Sequence, residues 1–312
     1  MTASGGGPEE LVRGVLEGSA RAIGRAISEV ERDAVSVPEI QRRIFPRTGR
    51  ARILGITGPP GAGKSTLVQR LAQAYRKAGR RVGIVAVDPS SPFTGGAILG
   101  DRIRMAEIYT DPDVFIRSMA TRGALGGLAR ATSDAVDVLD AAGFDPIFIE
   151  TVGVGQAEVE VASAADTTVV LVVPGMGDSV QAAKAGVLEV ADVLVVNKAD
   201  RPDTQATVRD LRAMVALATA DWKPPIVTTV ATAGEGIDEL VRQLDRHWTW
   251  LADSGERDRR RLARARDEVA ALAFGAVRDR LRVPDELAAR VADGSCSPHE
   301  AAEEVLASAL GA

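Results

Sequence analysis

A doubly wound, mostly parallel α/β sheet is the fold this sequence predicts, and three observations predict it. Seven short apolar runs recur at 52–57, 82–87, 114–117, 146–150, 168–173, 193–196 and 226–230, rich in β-branched residues and without clean polar alternation. Parallel strands buried on both faces read this way. Segments long enough to be crossover helices separate several of them, among them 64–78, 125–142 and 204–218, which makes repeated strand–helix units. A glycine-rich turn joins the first run to the first of those helices.

The flanking regions read as helical. Val12, Leu16, Ser19, Ile23, Ile27 and Val30 fall at three- and four-residue spacings, so a helix is expected over 8–30. A second, shorter one runs through Ile40 and Ile44 and ends near Pro46. Together these look like a lid or arm ahead of the first strand. After Trp250 the composition changes: 257–266 reads RDRRRLARAR, and Val269, Leu272 and Ala276 then return at helical spacing. Two shorter helices are expected near 285–292 and 298–310. The arginine run is either a solvated helix face or an arm for dimerisation or partner docking. The expected division is therefore an N-terminal helical extension (1–50), the α/β core (51–252) and a C-terminal helical segment (253–312).

Composition narrows the function. Of 312 residues, 46% are hydrophobic and 26% charged, the balance of an ordinary globular protein. The formal net charge of −5 gives no general reason to bind nucleic acid or an anionic membrane. Cys296 is the one cysteine, and His247 and His299 are the only histidines; neither an intrachain disulfide nor a Cys/His metal cluster can be built from them. The start, MTASGGGPEE, has no basic region followed by an apolar stretch, and no run approaches a membrane span. A cytoplasmic protein is expected.

The glycine-rich turn carries the chemistry. Gly58, Pro59, Pro60, Gly61, Ala62, Gly63, Lys64 and Ser65, followed by Thr66, match G-x-x-x-x-G-K-[ST] between a strand and a helix. That context is the one a phosphate-binding loop requires. Its backbone N–H groups would face the phosphates, with the positive end of the following helix behind them. Lys64 would bridge the β- and γ-phosphates, and the Ser65 hydroxyl would bind Mg²⁺.

The run 193–196 ends in Asn197, Lys198, Ala199 and Asp200, an N-K-x-D sequence that reads guanine. The Asp200 carboxylate would accept hydrogen bonds from the N1–H and amino groups of guanine, which adenine lacks. An unpaired desolvated carboxylate is costly, so the site would reject ATP by penalty as well as by attraction. Asn197 would hold the O6 side and tie neighbouring loops, and the Lys198 stem would lie over the ring. A further loop, Val230, Ala231 and Thr232 with Gly234 beyond, either offers a backbone N–H to O6 or is a plain turn.

Metal and switch candidates follow from strand tips. Glu150 ends the fourth run and begins E-x-x-G with Gly153; its carboxylate would orient Mg²⁺ and the attacking water, and the glycine N–H would meet the γ-phosphate. Asp88 ends the second run, and a Gly/Pro/Ser-rich stretch leads from it to Asp101. Asp101 can be a metal-linked carboxylate or a helix N-cap. Arg104, Arg117 and Arg122 are the arginines near these segments, with nothing to select one as a stabilising finger.

The stretches GPPGAGKST, VDPSSPFTGGAILGDRIRM, ETVGVGQAEVEV, PGMGDSVQAAKAG and NKAD together resemble the MeaB/ArgK group of P-loop GTPases, which includes the methylmalonic aciduria type A protein. The resemblance implies a Mg²⁺-dependent GTPase that converts GTP to GDP, with a P-loop GTPase core and a C-terminal helical dimerisation arm. It implies a chaperone of an adenosylcobalamin-dependent acyl-CoA mutase, typically methylmalonyl-CoA mutase, and a homodimer. On this resemblance Lys64, Asp88, Asp101 and Glu150 match nucleotide- and magnesium-site residues, and Gly177 to Gly186, with Lys184, matches a further switch. The chain has Val230-Ala231 where guanine sites commonly have Ser-Ala, and it lacks a cobalamin-binding D-x-H-x-x-G element, so any mutase would be a separate chain. The alternatives are a metal-insertion GTPase, against which the scarcity of Cys and His argues, and a membrane- or transport-associated GTPase.

Overall fold

The computed structural model describes residues 7–88, 106–120, 127–151, 163–175 and 190–310. Seven described strands form one sheet: β1 (Ile53–Thr57), β2 (Val82–Asp88), β3 (Val114–Ala120), β4 (Ile147–Thr151), β5 (Thr167–Val172), β6 (Val193–Asn197) and β7 (Ile226–Thr229). Their order is β3-β2-β4-β1-β5-β6-β7, and every pairing is parallel. The α/β expectation therefore holds. β2 and β3 outrun their apolar stretches, because the ladder continues through Asp88 opposite Ala120; backbone pairing does not require an apolar side chain.

Alternate residues of each strand serve opposite faces. On one face Leu54, Ile56, Ile84, Phe148, Val169, Leu171 and Val195 pack with α4 (Lys64–Lys77), with Leu240 and Leu244 from the helix that follows β7 completing the layer. On the other, Val85, Val87, Met119, Ile147 and Ile149 pack with Val136 and Leu139 of the helix Gly127–Ala141.

The N-terminal helices belong to this second layer. They are α1 (Pro8–Leu16), α2 (Ala20–Glu31) and α3 (Val37–Ile44), and they bury Val15, Ile23, Ile27, Ile40 and Ile44 completely. They pack on the sheet face rather than standing off as an arm. The single helix expected over 8–30 is broken. Gly18 adopts φ +76°, a left-handed conformation that ends α1, and Ser19 caps α2 by accepting from the Ala22 N–H at 3.4 Å. Apolar spacing runs through the break because both helices present the same face to the core.

Numbered in chain order, the helices after α4 are α5 (Ala106–Tyr109), α6 (Gly127–Ala141), α7 (Thr204–Leu217), α8 (Ile237–Asp253), α9 (Glu256–Arg280), α10 (Asp285–Ala292) and α11 (Pro298–Leu310). The chain forms two compact units, one through Arg260 and one from Arg261 onward. In the second, α10 and α11 enclose Leu287, Cys296 and Ala301, with Arg290 and Glu304 paired at 3.1 Å. Along α9, Leu262, Val269, Leu272 and Phe274 are exposed. Among the described residues no helix is long and apolar enough to cross a membrane.

Arg257 and Arg260, at the start of the arginine run, turn inward, while Asp258 and Arg259 between them face solvent. Arg257 lies 5.6 Å from the centre of the Trp248 ring. Arg260 donates from both terminal nitrogens to the carboxylate of Asp192, at 2.9 and 3.0 Å. Asp192 precedes β6 at the end of the sheet opposite the phosphate loop. It also accepts from the Thr168 N–H at 2.8 Å and lies 3.3 Å from His247, whose other ring nitrogen is 2.8 Å from the Thr167 hydroxyl.

Burial would raise the Asp192 pKa, but the hydrogen bonds and charge of His247 and Arg260 outweigh it and hold the carboxyl below its ordinary range. A carboxylate depressed in the folded state contributes its stability in full above the unfolded pKa of about 3.9 and loses it as pH falls through the folded value. Asp192→Asn is therefore expected to destabilise the protein at pH 7 by about 2 kcal/mol, since it removes the carboxylate charge that Arg260 and His247 meet and leaves Arg260 paired with Glu256 alone. The gap from wild type should shrink as pH falls below about 4; urea midpoints of both proteins at pH 7 and pH 3 measure it.

Candidate functional site

Crossovers in an open parallel sheet carry the loops at the C-terminal strand ends to one edge, where such folds bind ligands. The loops after β1, β6 and β7 meet there, beside the end of β4. The loop Gly58 to Gly63 leaves β1 and enters α4 directly, with Gly63 as the residue before the helix at φ +93°. A Cβ on Gly63 would lie 2.4 Å from the Asn197 amide nitrogen, so glycine is required for both backbone conformation and space. Lys64 is 6% exposed, and its ammonium donates to the carbonyls of Gly58 at 2.7 Å and Pro59 at 3.1 Å. The lysine thus lies along the inside of the loop it begins from, its charge held where a polyphosphate would draw it.

Ser65 and Glu150 come together across two strands. Glu150 sits near the end of β4, in register with Ile56 of β1 and Ala86 of β2. Its carboxylate is 6% exposed and accepts from the Ser65 hydroxyl at 2.5 Å. β2, on the far side of β4, ends at Asp88. The topology therefore gathers a serine hydroxyl and a buried carboxylate beside the phosphate loop, with a second acidic residue at the next strand end. These are oxygen donors of the kind that suits a small hard cation. Asp101, Gly153, Arg104, Arg122 and the stretch 177–186 lie outside the described residues. Arg117 points elsewhere: it pairs with Glu31 of α2 and donates to the Ser28 hydroxyl at 3.0 Å, pinning α2 to β3.

Asn197 ties the N-K-x-D turn to the phosphate loop. It is 2% exposed, and its amide nitrogen donates to the Ala62 carbonyl at 2.7 Å. Its amide oxygen accepts from the Thr229 hydroxyl at 3.0 Å and from the Ala231 N–H at 3.2 Å. One buried side chain thus joins the phosphate loop, β7 and the loop after β7. The next residue, Lys198, takes φ +58°, a left-handed conformation that costs a non-glycine residue energy and clusters at functional turns. That turn carries the exposed Asp200, and the Ala199 N–H ties it to the Thr229 carbonyl at 3.0 Å.

The loop after β7 is shaped by its own turn and by one residue the sequence did not single out. The Ala233 N–H returns to the Val230 carbonyl at 2.9 Å. Arg70 reaches across from α4 and donates to the carbonyls of Ala231 at 3.1 Å and Thr232 at 2.9 Å. An arginine on the second turn of a crossover helix has no distinguishing pattern, and only the approach of the loop after β7 reveals its partners.

Comparison with known proteins accords with this arrangement. A family model described as methylmalonyl Co-A mutase-associated GTPase MeaB matches residues 19–286. A relative from Pyrococcus abyssi is 47% identical over 97% of both chains. GTPase ArgK of Escherichia coli is 37% identical over 79% of this chain and 77% of its own, and the mitochondrial methylmalonic aciduria type A homolog of Mus musculus is 35% identical over 80% of this chain and 65% of its own. The crystal structure of an LAO/AO transport system kinase matches with a TM-score of 0.72 at 25% identity, over 96% of each chain. With the phosphate loop, the N-K-x-D turn and a family match across most of its length, this chain belongs to the MeaB family of P-loop GTPases.

Proposed function

We propose that this GTPase is Mg²⁺-dependent and acts as the chaperone of an adenosylcobalamin-dependent acyl-CoA mutase on a separate chain, gating cofactor loading and protecting the loaded enzyme. The observation that carries the reading is the family match over residues 19–286, whose description names association with methylmalonyl-CoA mutase.

In this reading the phosphate loop and Lys64 hold the polyphosphate, and the N-terminus of α4 adds its positive end. Ser65 and Glu150, with Asp88 and Asp101, would hold Mg²⁺, which supplies charge neutralisation on the phosphate oxygens when bound. Glu150 would also orient the attacking water. Asp200 selects guanine, Asn197 and Lys198 frame the base, and the loop of Val230, Ala231 and Thr232 supplies a backbone donor to O6. Gly153 would contact the γ-phosphate. The exposed apolar side chains of α9, including Phe274 at 75% and Val269 at 65%, favour a homodimer formed through the C-terminal helices, since such patches are rarely left in water. The cytoplasm is the proposed compartment.

Three outcomes test this. GTP turnover by the purified chain should be slow and should rise at least about tenfold with a cobalamin-dependent mutase from the same genome. GTP binding with no response to any such mutase would leave a GTPase of another client, and recovery on liposomes by flotation would favour a membrane role. Asp200→Asn should shift the ratio of GDP to xanthosine diphosphate affinity by at least about a hundredfold toward xanthine, whose extra carbonyl suits an amide donor; equilibrium titration with both nucleotides measures it. Glu150→Gln should lower single-turnover GTP hydrolysis about a hundredfold while GDP affinity stays within about threefold.

A further inference from the structure

Two side chains hold the loop after β7 to the phosphate-loop assembly. Asn197 does so from below, linking the Ala231 N–H to the Ala62 carbonyl. Arg70 does so from the side, on the helix that Lys64 and Ser65 begin. Its Nε donates to the Ala231 carbonyl at 3.1 Å and one terminal nitrogen donates to the Thr232 carbonyl at 2.9 Å. The other terminal nitrogen donates to Gln73 Oε1, one turn further along α4, at 3.1 Å, which orients the guanidinium. A planar fork meeting two successive carbonyls fixes two peptide planes at once, which a flexible ammonium cannot do.

The consequence lies in the opposite edge of those peptides. In a trans peptide the carbonyl and the following N–H point in opposite directions. Drawing the Ala231 and Thr232 carbonyls toward α4 turns the N–H groups of Thr232 and Ala233 away from it. The Ala233 N–H is consumed within the loop by the Val230 carbonyl, and the Ala231 N–H by Asn197. The Val230, Gly234 and Glu235 N–H groups also return to carbonyls of this loop. The amide of Thr232 is the donor that remains to be offered outward.

We infer that Arg70 is a positioning residue for guanine selectivity: by holding the Ala231 and Thr232 carbonyls against α4, it presents the Thr232 N–H as the donor to the O6 oxygen of the base. This rests on the reading that the loop of Val230, Ala231 and Thr232 faces O6. Arg70 itself touches neither base nor phosphate in this scheme, so its removal alters how sharply O6 is read and leaves the Asp200 edge untouched.

The test uses the full chain and three nucleotides: GDP, 6-thioguanosine diphosphate and inosine diphosphate. Sulfur at position 6 is a poor acceptor and leaves the Asp200-facing edge intact, whereas inosine keeps O6 and loses the amino group that Asp200 reads. Wild type is expected to bind GDP about tenfold more tightly than the thio analogue. In Arg70→Ala and Arg70→Lys that ratio should fall below about threefold, while the GDP-to-inosine ratio stays as in wild type. Arg70→Lys keeps the charge and the helix, and its thermal melt shows that the fold is retained should the alanine variant fail. An undiminished thio ratio in folded Arg70→Lys would overturn the role of Arg70 while leaving the loop as an O6 reader. A wild-type chain indifferent to the sulfur would remove the loop reading and the proposal together.

Discussion

The buried amide of Asn197 is the interaction on which the nucleotide site depends. A primary amide offers two donors and an acceptor with two lone pairs, and this one spends them on three separate segments: Ala62 in the phosphate loop, Thr229 at the end of β7 and Ala231 beyond it. The first belongs to the β1–α4 unit and the other two to the β7–α8 unit, and they meet β6 only at the C-terminal edge of the sheet. Without a common partner the loops after β1 and β7 would be independent, free to drift by the ångström that spoils a polyphosphate or base contact. Gly63 has no side chain because the amide already occupies the space where its Cβ would stand. The glycine of the phosphate motif thus makes room for the first residue of the N-K-x-D motif.

The opposite edge of the sheet is held by a different kind of contact. There the Asp192 carboxylate, almost wholly buried, collects Arg260, His247 and the Thr168 N–H. A buried charge is tolerated because hydrogen bonds and an opposite charge replace the water it lost. Trp222 closes the cluster, donating its ring N–H to the Asp192 carbonyl at 2.8 Å and lying 4.7 Å from the His247 ring. The strands that start here, β5 and β6, end at the nucleotide edge, so the first turn of α9 is anchored to the same two strands that carry Asn197 and its neighbour in the sheet. Polar chemistry is thereby concentrated at both ends of a sheet whose middle is apolar, and the two ends have separate tasks.

How much of this was legible in the sequence depends on distance along the chain. The seven apolar runs gave the strands because a strand buried on both faces needs nothing but apolar, β-branched residues over a short length, and that is a local property. The phosphate loop and the N-K-x-D turn were legible for the same reason: each is a contiguous motif whose backbone conformation and side chains act together. The break at Gly18 was missed, since apolar spacing continues across it while the backbone reverses its sense at one residue. Arg117, near enough in sequence to the switch segments to be considered with them, turned out to pin α2, because its partners Glu31 and Ser28 lie far back in the chain.

What the sequence determined alone was the fold class, the family, and the short motifs proposed to meet phosphate and guanine. What only the tertiary structure decided was which long-range partners give those motifs their shape: Ser65 against Glu150, Asn197 across two loops and β7, Arg70 on the carbonyls of Ala231 and Thr232, and Arg260 on Asp192. The physical reason is that propensity, turn chemistry and apolar periodicity act over a few residues. A hydrogen bond between residues separated by 85 or 161 positions, as for Ser65 with Glu150 and Arg70 with Ala231, exists only once the sheet has set its strand order and brought those loops to one edge.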